Sequence, residues 1–125
     1  MPVETLRVTL NSSLAAPSQA RDALAGWLDG IGVDGQARSD LLIVVSELVT
    51  NAVLHAASAP EVVASFDDGR IRLEVHDSEF APPIERTADG DDLGGWGLRF
   101  VRTMTDGWGW MPTATGKVVW TETLR

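Results

Sequence analysis

The sequence predicts a two-layer α/β sandwich in which three helices cover one face of a mixed, mostly antiparallel sheet. Two observations indicate this fold class. Segments whose apolar residues recur at helical spacing alternate along the chain with segments in which every second residue is apolar. Their order is β-α-α-β-β-α-β-β, and a length of 125 residues suits a single domain with one core.

The chain begins with a strand and a helix. The alternation of apolar and polar residues from Leu6 to Leu10 predicts a half-buried strand at an edge of the sheet. A helix is predicted from Ser18, with Pro17 near its first position and Gly30 and Gly32 at its end.

The second helix, predicted over residues 36–57, organises the candidate site. Its apolar residues recur at helical spacing, and neither Gly nor Pro occurs between residues 40 and 57. Three polar side chains share one face of this helix because they are four positions apart: Glu47, Asn51 and His55. An Asn oxygen suits a hard cation that keeps several waters, and a carboxylate one turn away can act as a general base. A solvated helix stripe is the alternative interpretation.

A hairpin and an irregular segment follow. Two predicted strands, residues 61–66 and 70–76, are joined by a turn that contains Asp68-Gly69, and the second strand ends at Asp77. Periodicity is lost from Ser78 to Leu93, which indicates either a mobile lid over a ligand or a plain loop.

A glycine-rich segment, Gly94-Gly95-Trp96-Gly97-Leu98, precedes the third predicted helix. Glycines at the start of a helix let backbone N–H groups approach phosphate oxygens, although glycines also simply interrupt regular structure. Two further strands are predicted, one around Trp108 and Trp110 and one from Val118 to Leu124.

Composition and charge exclude several classes of protein. A net charge of −8 argues against direct binding to nucleic acid, and the absence of cysteine excludes disulfides and thiolate metal sites. The sequence has no signal-peptide pattern, and no apolar segment approaches the ~20 residues that span a bilayer. These features predict a cytoplasmic protein without a membrane segment.

Three motifs, in this order, resemble those of the Bergerat-type (GHKL) ATPases, the fold shared by gyrase, Hsp90, histidine kinases and MutL. Residues 47–52 resemble the N box of that superfamily, Asp77 resembles the first residue of the G1 box, and residues 94–98 resemble the G2 box. The small size, the initial strand and the closing Gly-Lys-x-Val-Trp resemble the bacterial anti-sigma-factor serine kinases, in particular their short actinomycete relatives.

The resemblance implies that the chain binds ATP and Mg²⁺. It implies that Asn51 holds Mg²⁺, that Glu47 is the general base, and that Asp77 accepts a hydrogen bond from the adenine amino group. Gly95 and Gly97 would present their backbone to the phosphates. The remaining implied nucleotide-binding residues are His55, Gly94, Leu98 and Arg99.

Several positions depart from the family pattern. The G1 box expects Asp-x-Gly-x-Gly, whereas residues 77–81 read Asp-Ser-Glu-Phe-Ala, so both glycines are missing and Glu79 adds negative charge. The closing strand commonly offers a threonine to the site, and the matching position is expected to be Val118. Arg86 and either Arg99 or Lys117 are expected to add positive charge. The departures imply weaker adenine binding or a lid in a different position.

Two classes of function remain open. One is an anti-sigma-factor-type serine/threonine protein kinase that phosphorylates a small antagonist protein and controls a sigma factor. The other is a non-catalytic module that sequesters a partner with weak or no ATP binding. A detached histidine-kinase ATPase domain is a poorer third interpretation. The implied partners are a sigma factor, an anti-anti-sigma protein of the STAS type, or both, and a homodimer is left open.

Overall fold

The computed structural model describes residues 4–55, 59–83 and 97–124, and the side chains of His55 and Leu98 lie outside that description. The described residues form five strands and three helices. The strands are β1 Glu4–Thr9, β2 Glu61–Asp67, β3 Arg70–Asp77, β4 Gly107–Pro112 and β5 Lys117–Leu124. The helices are α1 Ala16–Gly30, α2 Gly35–His55 and α3 Gly97–Met104.

The strands form a single sheet in the order β1-β2-β3-β5-β4, in which every neighbouring pair is antiparallel. The strand β1 lies at one end of this order, so the edge position predicted for the first strand is confirmed. The turn between β2 and β3 is tight because Asp68 and Gly69 both adopt positive φ, 53° and 75°. Two consecutive positive φ angles define the hairpin turn whose twist matches that of the flanking strands.

The helices form the second layer, with α2 between α1 and α3 and in contact with β3. The core lies between the layers, and its largest fully buried side chains include Leu24, Leu41 and Leu73. Burying a side chain of this size stabilises a protein by about 1.5–3 kcal/mol relative to leaving it exposed. The predicted two-layer α/β sandwich is confirmed.

The bounds of the helices and strands agree closely with the periodicity of the sequence. Most of the predicted lid, residues 84–93, lies outside the described residues, as do residues 94–96 of the glycine-rich segment. The end of the second helix as it was predicted, residues 56 and 57, lies outside them too. Within the described part of the chain, no helix is long and apolar enough to cross a membrane.

Candidate functional site

A cavity of about 120 Å³ opens between α2, the end of β3 and the start of β5. The polar side chains on its wall are Asn51 from α2, Asp77 from β3, Lys117 from β5, and Glu79. The rest of the wall is apolar and consists of Leu48, Ala52, Val75, Ala81, Pro82, Pro83 and Val119. A largely apolar cleft with a few converging polar groups is typical of a small-molecule site.

Helix α2 positions Asn51 because its neighbours on the helix are held in the core. Leu48 and Ala52 are buried, whereas Asn51 is half-buried at the margin of the same face and reaches the cavity. The helix is also tied to α1 by a hydrogen bond of 2.8 Å from Arg21 Nη1 to Ser46 Oγ. Asn51 is therefore presented by a well-anchored part of the helix.

Glu47 lies one turn before Asn51 and is half-buried. Burial raises the pKa of its carboxyl group above the ordinary value of 4.5 because the charged form loses hydration. A carboxylate with a raised pKa is a better proton acceptor near neutral pH, as a general base requires. Among the described residues, the wall of the cavity includes Asn51 but not Glu47.

The strand β3 delivers Asp77 to the floor of the cavity. Ile71, Leu73 and Val75 point into the core at every second position, so Asp77 continues on that face and is 8% exposed. Its Oδ1 accepts a hydrogen bond of 2.9 Å from the backbone N–H of Glu79. The carboxylate is thus held by its own chain as it leaves the strand.

Asp77 also forms a buried ion pair with Lys117, which is 4% exposed. The ammonium Nζ of Lys117 lies 3.1 Å from Oδ1 and 3.0 Å from Oδ2 of Asp77. The two residues are direct partners in the antiparallel pairing of β3 with β5. The pair was not predicted from the sequence, although Asp77 and Lys117 were each predicted separately to serve the site.

One expectation about the closing strand was wrong. The residue of β5 that faces Asp77 is Lys117, whereas Val118 pairs with His76 and points to the opposite face of the sheet. Lys117 was expected to add positive charge to the site, and it lies on the wall of the cavity with its ammonium paired to the Asp77 carboxylate. Val118 and Lys117 are one position apart, and a shift of one residue exchanges the two faces of a strand.

Gly116 allows the backbone at the start of β5 to approach the backbone at the end of β3 closely. A Cβ atom placed on Gly116 would clash with the carbonyl oxygen of Asp77 and lie 2.7 Å from Cα of Ser78. The backbone after β3 therefore packs directly on the residue that precedes β5. Only a residue without a side chain fits at this position.

The remaining predicted site residues are described only in part. Gly94 and Gly95 lie outside the described residues, as do Arg86 and the side chain of His55. Gly97 and Leu98 begin α3, and Arg99 in the same helix is exposed. The structure thus brings Asn51 and Asp77 to one cavity. The roles of all the predicted site residues, including these two, stay predictions.

The chemistry of Asn51 fits a magnesium ligand. Mg²⁺ is usually held by one or two protein oxygens together with water and substrate phosphates. The described residues contain no group of three or more His, Cys, Asp or Glu side chains that could hold a metal ion. A single carboxamide oxygen on the wall of a cavity supplies the kind of ligand that a phosphate-bound ion needs.

These features define a class of protein. Residues 10–122 match the family of histidine kinase-like ATPase domains, so the chain belongs to that family and is an ATPase-type domain. This match confirms the resemblance to the Bergerat-type ATPases.

A solved structure provides a second comparison, at the level of the fold. The chain resembles the crystal structure of the RsbU and RsbW domains of Rv1364c from Mycobacterium tuberculosis, with 25% sequence identity and a TM-score of 0.76. The similarity covers 99% of this chain and 32% of the other, so this chain spans about a third of that chain's length. The two-layer fold is therefore shared along almost all of the present chain.

Proposed function

We propose that this protein is an ATP-binding regulator and, more specifically, a serine/threonine protein kinase of the anti-sigma-factor type. The observation that carries the proposal is the cavity that joins Asn51 on α2 to Asp77 at the end of β3. These two residues resemble the magnesium-holding and base-reading residues of the ATPase family to which the chain belongs. The similarity to a structure that contains an RsbW domain supports the regulatory assignment.

The residues around the cavity suit two parts of ATP, which are the adenine base and the phosphates with their Mg²⁺. The apolar wall formed by Leu48, Val75 and Val119 accommodates a flat heterocycle, and Asp77 supplies an acceptor for an amino group on that heterocycle. Asn51 lies on the helix that also carries Glu47. Mg²⁺, when bound, would neutralise charge on the phosphates, with Asn51 as its protein ligand.

Glu47 supplies the proton acceptor for phosphoryl transfer. A serine or threonine hydroxyl of the partner protein loses its proton to the Glu47 carboxylate as its oxygen attacks the γ-phosphorus. A new O–P bond forms, the bond from the γ-phosphorus to the bridging oxygen breaks, and ADP leaves. The raised pKa of Glu47 favours this proton transfer.

The protein substrate in this proposal is a small antagonist of the STAS type, and its phosphorylation state controls a sigma factor. Mg·ATP supplies the phosphoryl group. The assignment rests on the resemblance to anti-sigma-factor kinases and on the family match over residues 10–122.

A non-catalytic binding module is the second candidate, and one observation favours it. Lys117 already contacts both oxygens of Asp77, the carboxylate that would read adenine. In addition, the glycines of the G1 pattern are replaced by Glu79 and Ala81, which line the cavity. A module of this kind would sequester a partner protein without phosphorylating it.

Transfer of labelled phosphate separates the two functions. The wild type is incubated with Mg²⁺ and ATP labelled at the γ-phosphate, together with STAS-type proteins as acceptors. A kinase labels an acceptor, and Glu47→Gln abolishes labelling while ATP binding persists. Glu4→Gln, on an exposed residue of β1, is the matched control and retains labelling. ATP binding without transfer to any acceptor supports the binding module, and absence of ATP binding refutes both the kinase and its nucleotide site.

A further inference from the structure

The ion pair between Asp77 and Lys117 is placed in an unusual position for a purely structural contact. Both side chains are more than nine-tenths buried, yet both line the cavity. Replacing a buried ion pair with apolar residues is often neutral or stabilising, so stability alone does not account for a pair at this position. A pair that faces a ligand cavity can instead act on the ligand.

The hydrogen-bonding capacity of the pair is not exhausted. A carboxylate offers about four acceptor positions and an ammonium group carries three N–H donors. Asp77 accepts from the backbone N–H of Glu79 and from Lys117. Lys117 has two carboxylate oxygens within 3.1 Å, which leaves at least one N–H for another acceptor. The pair therefore presents an acceptor and a donor side by side.

The charges around the pair indicate which part of a nucleotide it meets. Lys117 and Asp77 neutralise each other, and Glu79 adds a carboxylate to the same wall. A phosphate group would face this negative charge, whereas an uncharged heterocycle would face a neutral pair framed by apolar side chains. The pair thus suits the base of a nucleotide and not its phosphates.

We infer that Lys117 supplies a second contact to the adenine base, beside the one that the proposed function gives to Asp77, and this inference rests on the proposed binding of ATP. The Asp77 carboxylate accepts a hydrogen bond from the 6-amino group, and the Lys117 ammonium donates to a ring nitrogen beside it, N1 or N7. The carboxamide of an Asn or Gln side chain recognises adenine in the same way. Its oxygen accepts from the N6 amino group while its NH₂ group donates to N7. Lys117 is then a specificity-determining residue, since it and not Val118 is the residue of β5 that faces Asp77.

Deaza analogues of ATP test the inference on the unmodified protein. In 1-deaza-ATP and 7-deaza-ATP, one ring nitrogen is replaced by C–H, so one acceptor is lost while the amino group and the phosphates stay. We expect wild-type protein to bind one of these analogues about ten-fold more weakly than ATP, the loss of one charge-assisted hydrogen bond. Equal affinity for all three nucleotides overturns the role of Lys117 and leaves ATP binding intact.

The variant Lys117→Met tests whether Lys117 makes the contact that is lost with the deaza analogue. Met has a similar length but carries no N–H donor. The variant should bind ATP and the discriminated analogue with equal affinity, and a preference that persists in the variant contradicts the inference. Thermal unfolding first establishes that the variant is folded, and if it is not, the analogue series on the wild type decides the question alone. Failure of the wild type to bind ATP at all would instead overturn the proposed function, so the two failures are distinguishable.

Discussion

Asp77 and Lys117 are each less than a tenth exposed, and their charged groups lie 3.0 Å apart. Each charge therefore offsets part of the desolvation cost of burying the other. Removing one charge leaves the other buried without a counter-charge, which typically costs about 3–5 kcal/mol of unfolding free energy. We therefore predict that Asp77→Asn lowers the unfolding free energy by roughly this amount, measured by urea denaturation.

A double variant provides the control for this prediction. Asp77→Asn combined with Lys117→Met removes both charges from the interior, and its unfolding free energy should return most of the way to that of the wild type. If the double variant is as unstable as Asp77→Asn alone, the lost stability does not come from the unpaired ammonium.

In the proposed function, the carboxamide of Asn51 would hold the magnesium ion that accompanies ATP. Asn51→Ala should weaken ATP binding about ten-fold or more when Mg²⁺ is present, and should change it much less when Mg²⁺ is chelated. Calorimetric titration of a variant shown by circular dichroism to be folded measures both values. Asn11→Ala, at an exposed turn, is the matched control. A loss that is the same with and without Mg²⁺ would mean that Asn51 contacts something other than the metal.

The half-buried carboxyl of Glu47 should make the stability of the protein depend on pH. Its pKa is raised above 4.5 in the folded state, so the folded state holds the proton more tightly than the unfolded state. The unfolding free energy of the wild type should therefore fall as the pH rises through the window just above 4.5, relative to that of Glu47→Gln.

Denaturation of both proteins across this pH range measures the effect. The Gln variant should be the more stable protein at neutral pH, and its advantage should vanish on the acidic side of the window. A constant difference between the two proteins, or one with the opposite sign, would show that burial does not perturb this carboxyl.

At the scale of the elements, the β3–β5 pair depends on the glycine that precedes β5. The backbone of Gly116 packs against Asp77 and Ser78 so closely that a Cβ does not fit. Gly116→Ala should push the two strands apart at the cavity, and should both lower the melting temperature and weaken nucleotide binding.

Gly26→Ala is the matched control for this substitution. Gly26 lies within α1, and a Cβ atom placed on it would have nothing within 4 Å. Replacing a glycine inside a helix with alanine stabilises it by roughly 0.5–1 kcal/mol, so this variant should melt at the same or a higher temperature. Tolerance of Gly116→Ala with unchanged binding would contradict the importance of this contact.

The sequence predicted the elements of the fold well because their signals are local. The period of the apolar residues identified α2 and β3, and the pair Asp68-Gly69 identified the hairpin turn. Asn51 and Asp77 were also predicted as site residues, because one lies on a helix face with a readable period and the other ends an alternating strand.

The partner of Asp77 could not be predicted in the same way. Lys117 lies 40 residues further along the chain, and only the register of β3 with β5 brings the two together. A register shift of one residue exchanges the faces of a strand, which is why Val118 was expected where Lys117 stands. The alternation along β5 alone does not choose between these registers. The signal available in the sequence was a Lys directly after a Gly at the start of a strand.

At the scale of the whole molecule, the cavity exists only when the complete fold is assembled. Its wall combines α2, the ends of β3 and β5, and residues 79–83, which are far apart in the chain. A ligand that binds there stabilises the folded protein and not the unfolded chain, by about 2.7 kcal/mol at a concentration of a hundred times its Kd. Binding of a ligand in this cavity is therefore expected to depend on the folded protein as a whole.

Calorimetric titration of the wild type with Mg·ATP and with Mg·GTP tests whether the cavity binds a nucleotide and selects adenine. At the positions that Asp77 and Lys117 would read, guanine presents a carbonyl oxygen toward the carboxylate and, at N1, a hydrogen toward the ammonium. We predict saturable one-to-one binding of ATP and binding of GTP that is weaker by about 1–3 kcal/mol. Equal affinities for the two nucleotides would contradict the reading of adenine by Asp77 and Lys117, and no heat with ATP from folded protein would contradict nucleotide binding itself.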